Sequence, residues 1–177
     1  LNRATKGDYT SIVALAKRYK TGNGTAKNTE CAIEWMKKAY VLKPKLVRSE
    51  LVNYLLDENN PSNNEEAIEL CIEGTKNNDG TSMKQLSLIY SLGRGIKTDM
   101  DKAVFWAEKS SELHVKDSKL QLADLLLKRN AGDDQERAYT IYKGLSDSGN
   151  KIATGRLARI KKIKEDWLID INNTLAI

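Results

Sequence analysis

The sequence predicts an all-α protein: a stack of about four to five helix-turn-helix units of about 35 residues each, closed by a C-terminal capping helix. Three observations carry that prediction: an internal repeat, apolar residues at helical spacing inside each unit, and only two prolines in 177 residues. Laid against itself with an offset of 71, the chain pairs Ser11 with Ser82, Leu15 with Leu86, Tyr19 with Tyr90 and Gly22 with Gly93. The same register pairs Gly24 with Gly95, Ala32 with Ala103, Trp35 with Trp106 and Lys38 with Lys109. A fixed period of this length marks stacked supersecondary units, each burying its apolar face on its neighbours.

The offset of 71 contains two units. One anchor recurs as Leu15, Leu51, Leu86, Leu122 and Leu157, and a second as Ala32, Ala67, Ala103 and Ala138, with steps alternating between 35 and 36. The expected units are therefore about 9–43, 44–79, 80–114 and 115–149, with a cap over about 150–177. In the first unit Ile12, Leu15, Ala16 and Tyr19 lie on one helical face. Gly22 and Gly24 then end the helix, because glycine accepts the left-handed conformation a C-terminal cap needs. Asn28 or Thr29 is the expected N-cap of the second helix, which carries Ala32, Ile33, Trp35, Met36 and Ala39 on its buried side.

Units two and four lack the glycine pair and have a turn one residue shorter. Unit three repeats the first through Leu86, Ile89, Tyr90, Gly93, Gly95, Asp99, Ala103, Trp106 and Ala107. The alanine of each second helix lets backbones approach closely. The large residue three positions on (Trp35, Leu70, Trp106, Ile141) is expected to fill the wedge between units. Beyond Gly155, Ile160, Ile163, Trp167, Ile171 and Leu175 keep helical spacing and read as the cap that shields the last apolar face. Ala4, Gly7 and Asp8 look like the tail of an earlier unit, and a first residue of Leu1 rather than Met fits a piece of a longer protein.

These residues resemble the Sel-one-like repeat (SLR) family, α/α solenoids related to tetratricopeptide repeats. Leu15, Tyr19, Gly22, Gly24, Ala32, Trp35, Lys38 and Ala39 fit that family's repeat, as do Leu86, Tyr90, Gly93, Gly95, Asp99, Ala103, Trp106 and Lys109. Units two and four depart from it, with Leu55 and Leu126 in place of the tyrosine and Leu70 and Ile141 in place of the tryptophan. The resemblance implies a right-handed superhelical solenoid that acts as a non-catalytic adaptor, in bacteria often tied to cell-envelope polysaccharide systems. It brings no catalytic motif and no cofactor.

Composition agrees with an interaction module more than with an enzyme. The single histidine, His114, falls at the expected end of a helix, where a helix dipole favours it, and has no second histidine with which to bind metal or relay protons. Gly22-x-Gly24 and Gly93-x-Gly95 follow helices rather than strands, so they are not phosphate loops. Cys31 and Cys71, forty positions apart, read as two small buried thiols. Trp35, Trp106, Tyr19 and Tyr90 occupy repeat positions, which favours packing over base stacking, so no nucleic-acid site is expected. No stretch approaches the roughly 20 apolar residues of a membrane span. The sequence leaves the compartment unknown, with cytoplasmic or cytoplasmic membrane-associated placement favoured.

Charge is uneven. Residues 1–50 carry 11 Lys/Arg against 4 Asp/Glu, residues 51–150 carry 12 against 17, and residues 151–177 carry 6 against 3. Two basic ends thus flank an acidic middle. The cluster Arg156, Arg159, Lys161, Lys162 and Lys164 is either a solvated helix face or a contact for an acidic polymer or membrane surface.

By analogy with tetratricopeptide repeats, the first helix of each unit lines a concave face. The residues placed there are Val13, Lys17, Lys20, Ser49, Asn53, Leu56, Lys84, Leu88, Leu92, Leu120, Asp124 and Leu127, with Arg159 beyond. Leu56, Leu88, Leu92 and Leu127 stand where polar residues are expected. Two readings follow: a leucine-floored groove for a peptide or protein, or leucines buried by tight packing. An exposed terminal face would also allow homo-oligomers.

Overall fold

The computed structural model describes residues 4, 6–57 and 61–162, and these are helical throughout apart from turns. The helices are α1 (Tyr9–Thr21), α2 (Thr29–Leu42), α3 (Pro44–Asp57), α4 (Pro61–Lys76), α5 (Gly80–Leu92), α6 (Met100–Glu112), α7 (Ser118–Arg129) and α8 (Asp134–Asp147). A further helical run, α9, covers 151–162. The remainder of the expected cap, including Lys164 and Trp167, lies outside the described residues. Two compact units divide the chain, Leu1–Val115 with α1–α6 and Lys116–Ile177 with α7–α9.

Local chemistry sets the helix ends. Asp8 caps α1 by accepting from the Ser11 amide at 2.9 Å, and Asp79 caps α5 by accepting from the Thr81 amide at 3.0 Å. Gly22 and Gly93 take left-handed C-caps at φ 76° and 68°. Each Gly-x-Gly loop then folds back in the same way: the Asn28 amide donates to the Tyr19 carbonyl at 2.8 Å, and the Asp99 amide donates to the Tyr90 carbonyl at 3.0 Å. Asn28, not Thr29, is the cap of α2, accepting from the Cys31 amide at 2.9 Å. In the α7–α8 turn, Asn130 takes the left-handed cap at φ 54°. His114 likewise adopts φ 54°, two residues past the end of α6, where its amide donates to the Ser111 carbonyl at 3.1 Å.

The core of the first unit is built on small residues. Ala16, Ala32, Ala39, Ala67 and Ala103 are fully buried, with Leu51, Leu55, Leu86 and Ile89 packed among them. In the second unit Leu122, Ala123, Leu126, Ala138, Tyr142 and Ala153 are buried. Glycine is required at Gly74, where a Cβ would come within 2.0 Å of the Ser82 Oγ, so the Ser82 side chain of α5 packs directly on the α4 backbone.

Two expectations need correction. Trp35 and Trp106 pack against the core but remain only half-buried: Lys38 Nζ lies 4.0 Å from the Trp35 ring centroid, and Phe105 stacks edge-on to Trp106 at 5.1 Å. Cys71 is buried and its thiol is pushed up to about 12 by loss of solvation, whereas Cys31 is only half-buried. Cys31 sits in the first turn of α2, too near the open loop to be enclosed.

The buried polar groups were not foreseen. Arg48, 3% exposed, donates from Nη2 to Glu73 Oε1 at 2.8 Å and lies 3.7 Å from Asp79. Tyr40 donates its hydroxyl to the other Glu73 oxygen at 2.7 Å. These contacts tie α2, α3, α4 and the start of α5 together. In the second unit Asp134, 1% exposed, accepts from Arg129 Nε at 2.8 Å and Nη2 at 2.7 Å. That bidentate pair, joined by the Ala131 amide at 3.0 Å, draws its carboxyl down to about 2.

Candidate interaction surface

In the first unit α1, α3 and α5 present neighbouring faces joined by polar contacts. Lys17 of α1 pairs with Glu50 of α3 at 3.3 Å, and Lys20 lies over the Tyr54 ring at 5.1 Å. Gln85 of α5 reaches back to α3, donating from Nε2 to the Ser49 carbonyl at 2.8 Å and to Asn53 Oδ1 at 2.9 Å. Its Oε1 is buried with no hydrogen-bond partner among the described residues. Beside this amide pair, Leu88 and Leu92 stand 42% and 50% exposed, one helical turn apart, with Lys84 one turn before them and half-buried. The structure therefore groups Lys17, Asn53, Lys84, Leu88 and Leu92 on the first-helix faces of one unit.

A continuous floor of four leucines is not formed. Leu56 is only 8% exposed. It lies at the end of a helix packed between α2 and α4 and touching α5, so the buried arc of α3 is wider than that of α1. Arg94 donates to the Leu56 carbonyl at 3.1 Å, covering that end further. Leu127 turns into a cleft of about 400 Å³ within its own unit, lined with Gln135, Glu136, Tyr139 and Ile160. Leu120 is half-buried. Asp124 is engaged internally, accepting from the buried Tyr142 hydroxyl and pairing with Arg156 Nε at 3.2 Å. Burial first, then the Asp124 hydrogen bond, raises the Tyr142 phenol above its ordinary range.

That ion pair removes Arg156 from the basic cluster as a free cation. Arg159, Lys161 and Lys162 are exposed on α9, and Lys164 lies outside the described residues. Among the described residues no group of three or more His, Cys, Asp or Glu side chains could hold a metal, and no helix is long and apolar enough to cross a membrane. Gln85, Arg48 and Asp134 were missed as structural residues, because a polar residue at helical spacing carries no sign of whether a neighbouring helix will cover it.

With the helix pairs and this face in view, comparison with known proteins defines the class. The Sel1 repeat family model matches residues 11–40 and 81–115, the two copies related by the offset of 71. The Sel1 repeat model thus accounts for two stretches of the chain, and the fold is that of SLR proteins. A crystal structure of a protective antigen present in uropathogenic Escherichia coli strains, displaying an SLR fold, is similar with a TM-score of 0.70 at 21% identity. A Sel1 repeat protein from Oxalobacter formigenes is similar with a TM-score of 0.68 at 25% identity. Each alignment covers 91% of this chain, but only 35% and 65% of the two relatives, respectively. A search of curated proteins finds no match.

Proposed function

We propose that the chain is a non-catalytic scaffold that takes a peptide or protein segment along the faces of α1, α3 and α5. The observation that carries this reading is the exposed pair Leu88 and Leu92 beside the Gln85–Asn53 amides. Single exposed leucines are ordinary on a soluble surface, but two in helical register beside polar groups give an extended ligand both apolar contact and hydrogen bonds. The Sel1 repeats support the reading, since such repeats generally serve protein interaction.

The test is co-precipitation from source-cell lysate with wild type and Leu88→Asp, washed at low and at high salt. Helicity should be retained in Leu88→Asp, because the side chain is 42% exposed, whereas Leu56→Asp should unfold the first unit. A protein held at high salt by wild type and lost from Leu88→Asp is the expected result. Retention only at low salt, indifferent to Leu88, refutes it in favour of an acidic polymer held by Arg159, Lys161 and Lys162, because exposed charge contacts are screened.

A further inference from the structure

Asn23 and Gly24 form the one Asn-Gly step in the chain. They lie exposed in the α1–α2 loop, where Gly22 and Gly24 both take left-handed φ of 76°. The hydrogen bonds that close this loop fall on either side of the step. The Gly22 amide donates to the Arg18 carbonyl at 2.8 Å, and the Asn28 amide to the Tyr19 carbonyl at 2.8 Å. The Asn23 main-chain amide donates to Thr21 Oγ1 at 3.4 Å. Among the described residues, the Asn23 carboxamide has no hydrogen-bond partner and the Gly24 amide has no acceptor. A Cβ built on Gly24 meets nothing within 4 Å, so the space beside that amide is open.

We infer that Asn23 is a self-modifying site: in the folded protein its side chain cyclises on the Gly24 amide and deamidates, giving aspartate and isoaspartate. The Gly24 nitrogen loses its proton to solvent base and bonds to Asn23 Cγ. The Cγ–Nδ2 bond breaks, and ammonia leaves with a proton from water. Water then opens the cyclic imide at either carbonyl. Cleavage at Cγ leaves aspartate on the original main chain. Cleavage at the Asn23 main-chain carbonyl leaves isoaspartate, whose main chain runs through Cβ and Cγ. Water enters, ammonia departs, and nothing is oxidised or reduced. Nucleophile and electrophile belong to adjacent residues, so the attack is intramolecular. Glycine at position 24 places no Cβ in its way.

The fold withholds that chemistry from other asparagines. Asn28 uses Oδ1 to hold the Cys31 amide at 2.9 Å. The Asn130 Oδ1 accepts from Gln135 Nε2 at 2.6 Å, and the amide that follows it, on Ala131, donates to Asp134 at 3.0 Å. The Asn150 Oδ1 accepts from the Ile152 and Ala153 amides, both at 3.1 Å. In the counterpart loop of α5–α6, Arg94 stands where Asn23 would be, and a Cβ at Gly95 would come within 2.5 Å of the Asn64 Cβ. Because α1 and α2 are joined through Gly22 and Asn28, outside the modified step, the product is a folded chain. It carries a new carboxylate among the first fifty residues, where 11 Lys/Arg stand against 4 Asp/Glu.

The test incubates the full chain in mildly alkaline buffer, then digests it with trypsin in mildly acidic buffer, where cyclisation is slow. Cleavage after Lys20 and Lys27 releases residues 21–27, read by mass spectrometry beside a synthetic peptide of that sequence incubated in parallel. The fragment from the folded chain should gain the mass of an amide-to-acid change and elute as two products. Its rate should lie within about tenfold of the free peptide's, a barrier difference under ~1.4 kcal/mol. Fragments holding Asn28, Asn130 and Asn150 should convert at least about tenfold more slowly than residues 21–27. Asn23→Gln, which would need a larger ring, should abolish conversion of that fragment, and far-UV circular dichroism should be unchanged as wild type converts. Conversion slower than the free peptide by more than that margin shows that the loop protects Asn23 and overturns the proposal. Equal conversion at the other three asparagines, or helicity lost in step with conversion, overturns it as well.

Discussion

Removing the carboxylate from Glu73 should destabilise the protein more than removing the guanidinium from Arg48, although the two form one ion pair. The asymmetry comes from burial: the Arg48 side chain is 4% exposed and the Glu73 side chain 52%. In Glu73→Ala the guanidinium stays out of water with its Nε already unpartnered among the described residues and Asp79 at 3.7 Å as its remaining carboxylate. Breaking a buried pair from the side that leaves the charge inside costs about 3–5 kcal/mol. Alanine favours the α4 helix, so lost propensity adds nothing to that figure.

In Arg48→Met the charge itself is gone and a stem of similar length fills the space. Glu73 remains half in water and keeps the Tyr40 hydroxyl. The lost charged hydrogen bond, worth about 1.5–3 kcal/mol, is offset by relief of a buried charge, leaving a net cost near about 1 kcal/mol. Urea melts followed by far-UV circular dichroism measure both. The double variant should recover part of the stability lost in Glu73→Ala. A cost for Arg48→Met equal to that for Glu73→Ala, or strict additivity in the double variant, would refute the reasoning.

Acid should loosen the second unit. Asp134 is held near about 2 against an ordinary 3.8, chiefly by the Arg129 hydrogen bonds, so its stabilisation is complete above pH about 4 and drains away as pH falls towards about 2. Asp134→Asn should cost about 1–3 kcal/mol at neutral pH and flatten that part of an acid titration followed by NMR signals of α7 and α8. An unchanged titration would refute the assignment. Gly93→Ala should lower stability by about 1 kcal/mol more than Gly22→Ala. Both are left-handed, but the new Cβ meets Thr98 Oγ1 at 2.7 Å in the first case and nothing closer than 3.4 Å in the second. Equal thermal shifts would contradict this.

Helix positions and helix ends were legible because they rest on local physics. The Gly22 and Gly93 caps and the Asp8 and Asn28 caps each depend on residues within one turn. The four core alanines and the leucines at 15, 51, 86 and 122 were legible because the repeat imposes them at one depth, and all are buried. The surface was less legible. Counting outward from an anchor leucine treats every first helix as presenting the same arc, which holds for Lys17, Asn53 and Leu88. It fails for Leu56, where neighbours on both sides widen the buried arc of α3, and for Leu127, which turns into the cleft with Tyr139 and Ile160.

The same reasoning explains why periodicity reads a solenoid's fold better than its function. A repeat equalises sequence positions but cannot equalise neighbours, so identical residues acquire different environments. Trp35 and Trp106 share spacing, flanking alanines and a lysine three residues on. Asn64 of α4 closes on Gly95, ahead of Trp106, whereas Trp35 lines a cleft with Val41. Arg48 shows the converse: its repeat lacks the glycine pair, yet there a buried charge ties α3 to α4 and to the start of α5. Equivalent positions in such a chain therefore part company in their surroundings, and breaks in the pattern hold contacts between neighbouring helices. Both became readable once the helices were placed against one another.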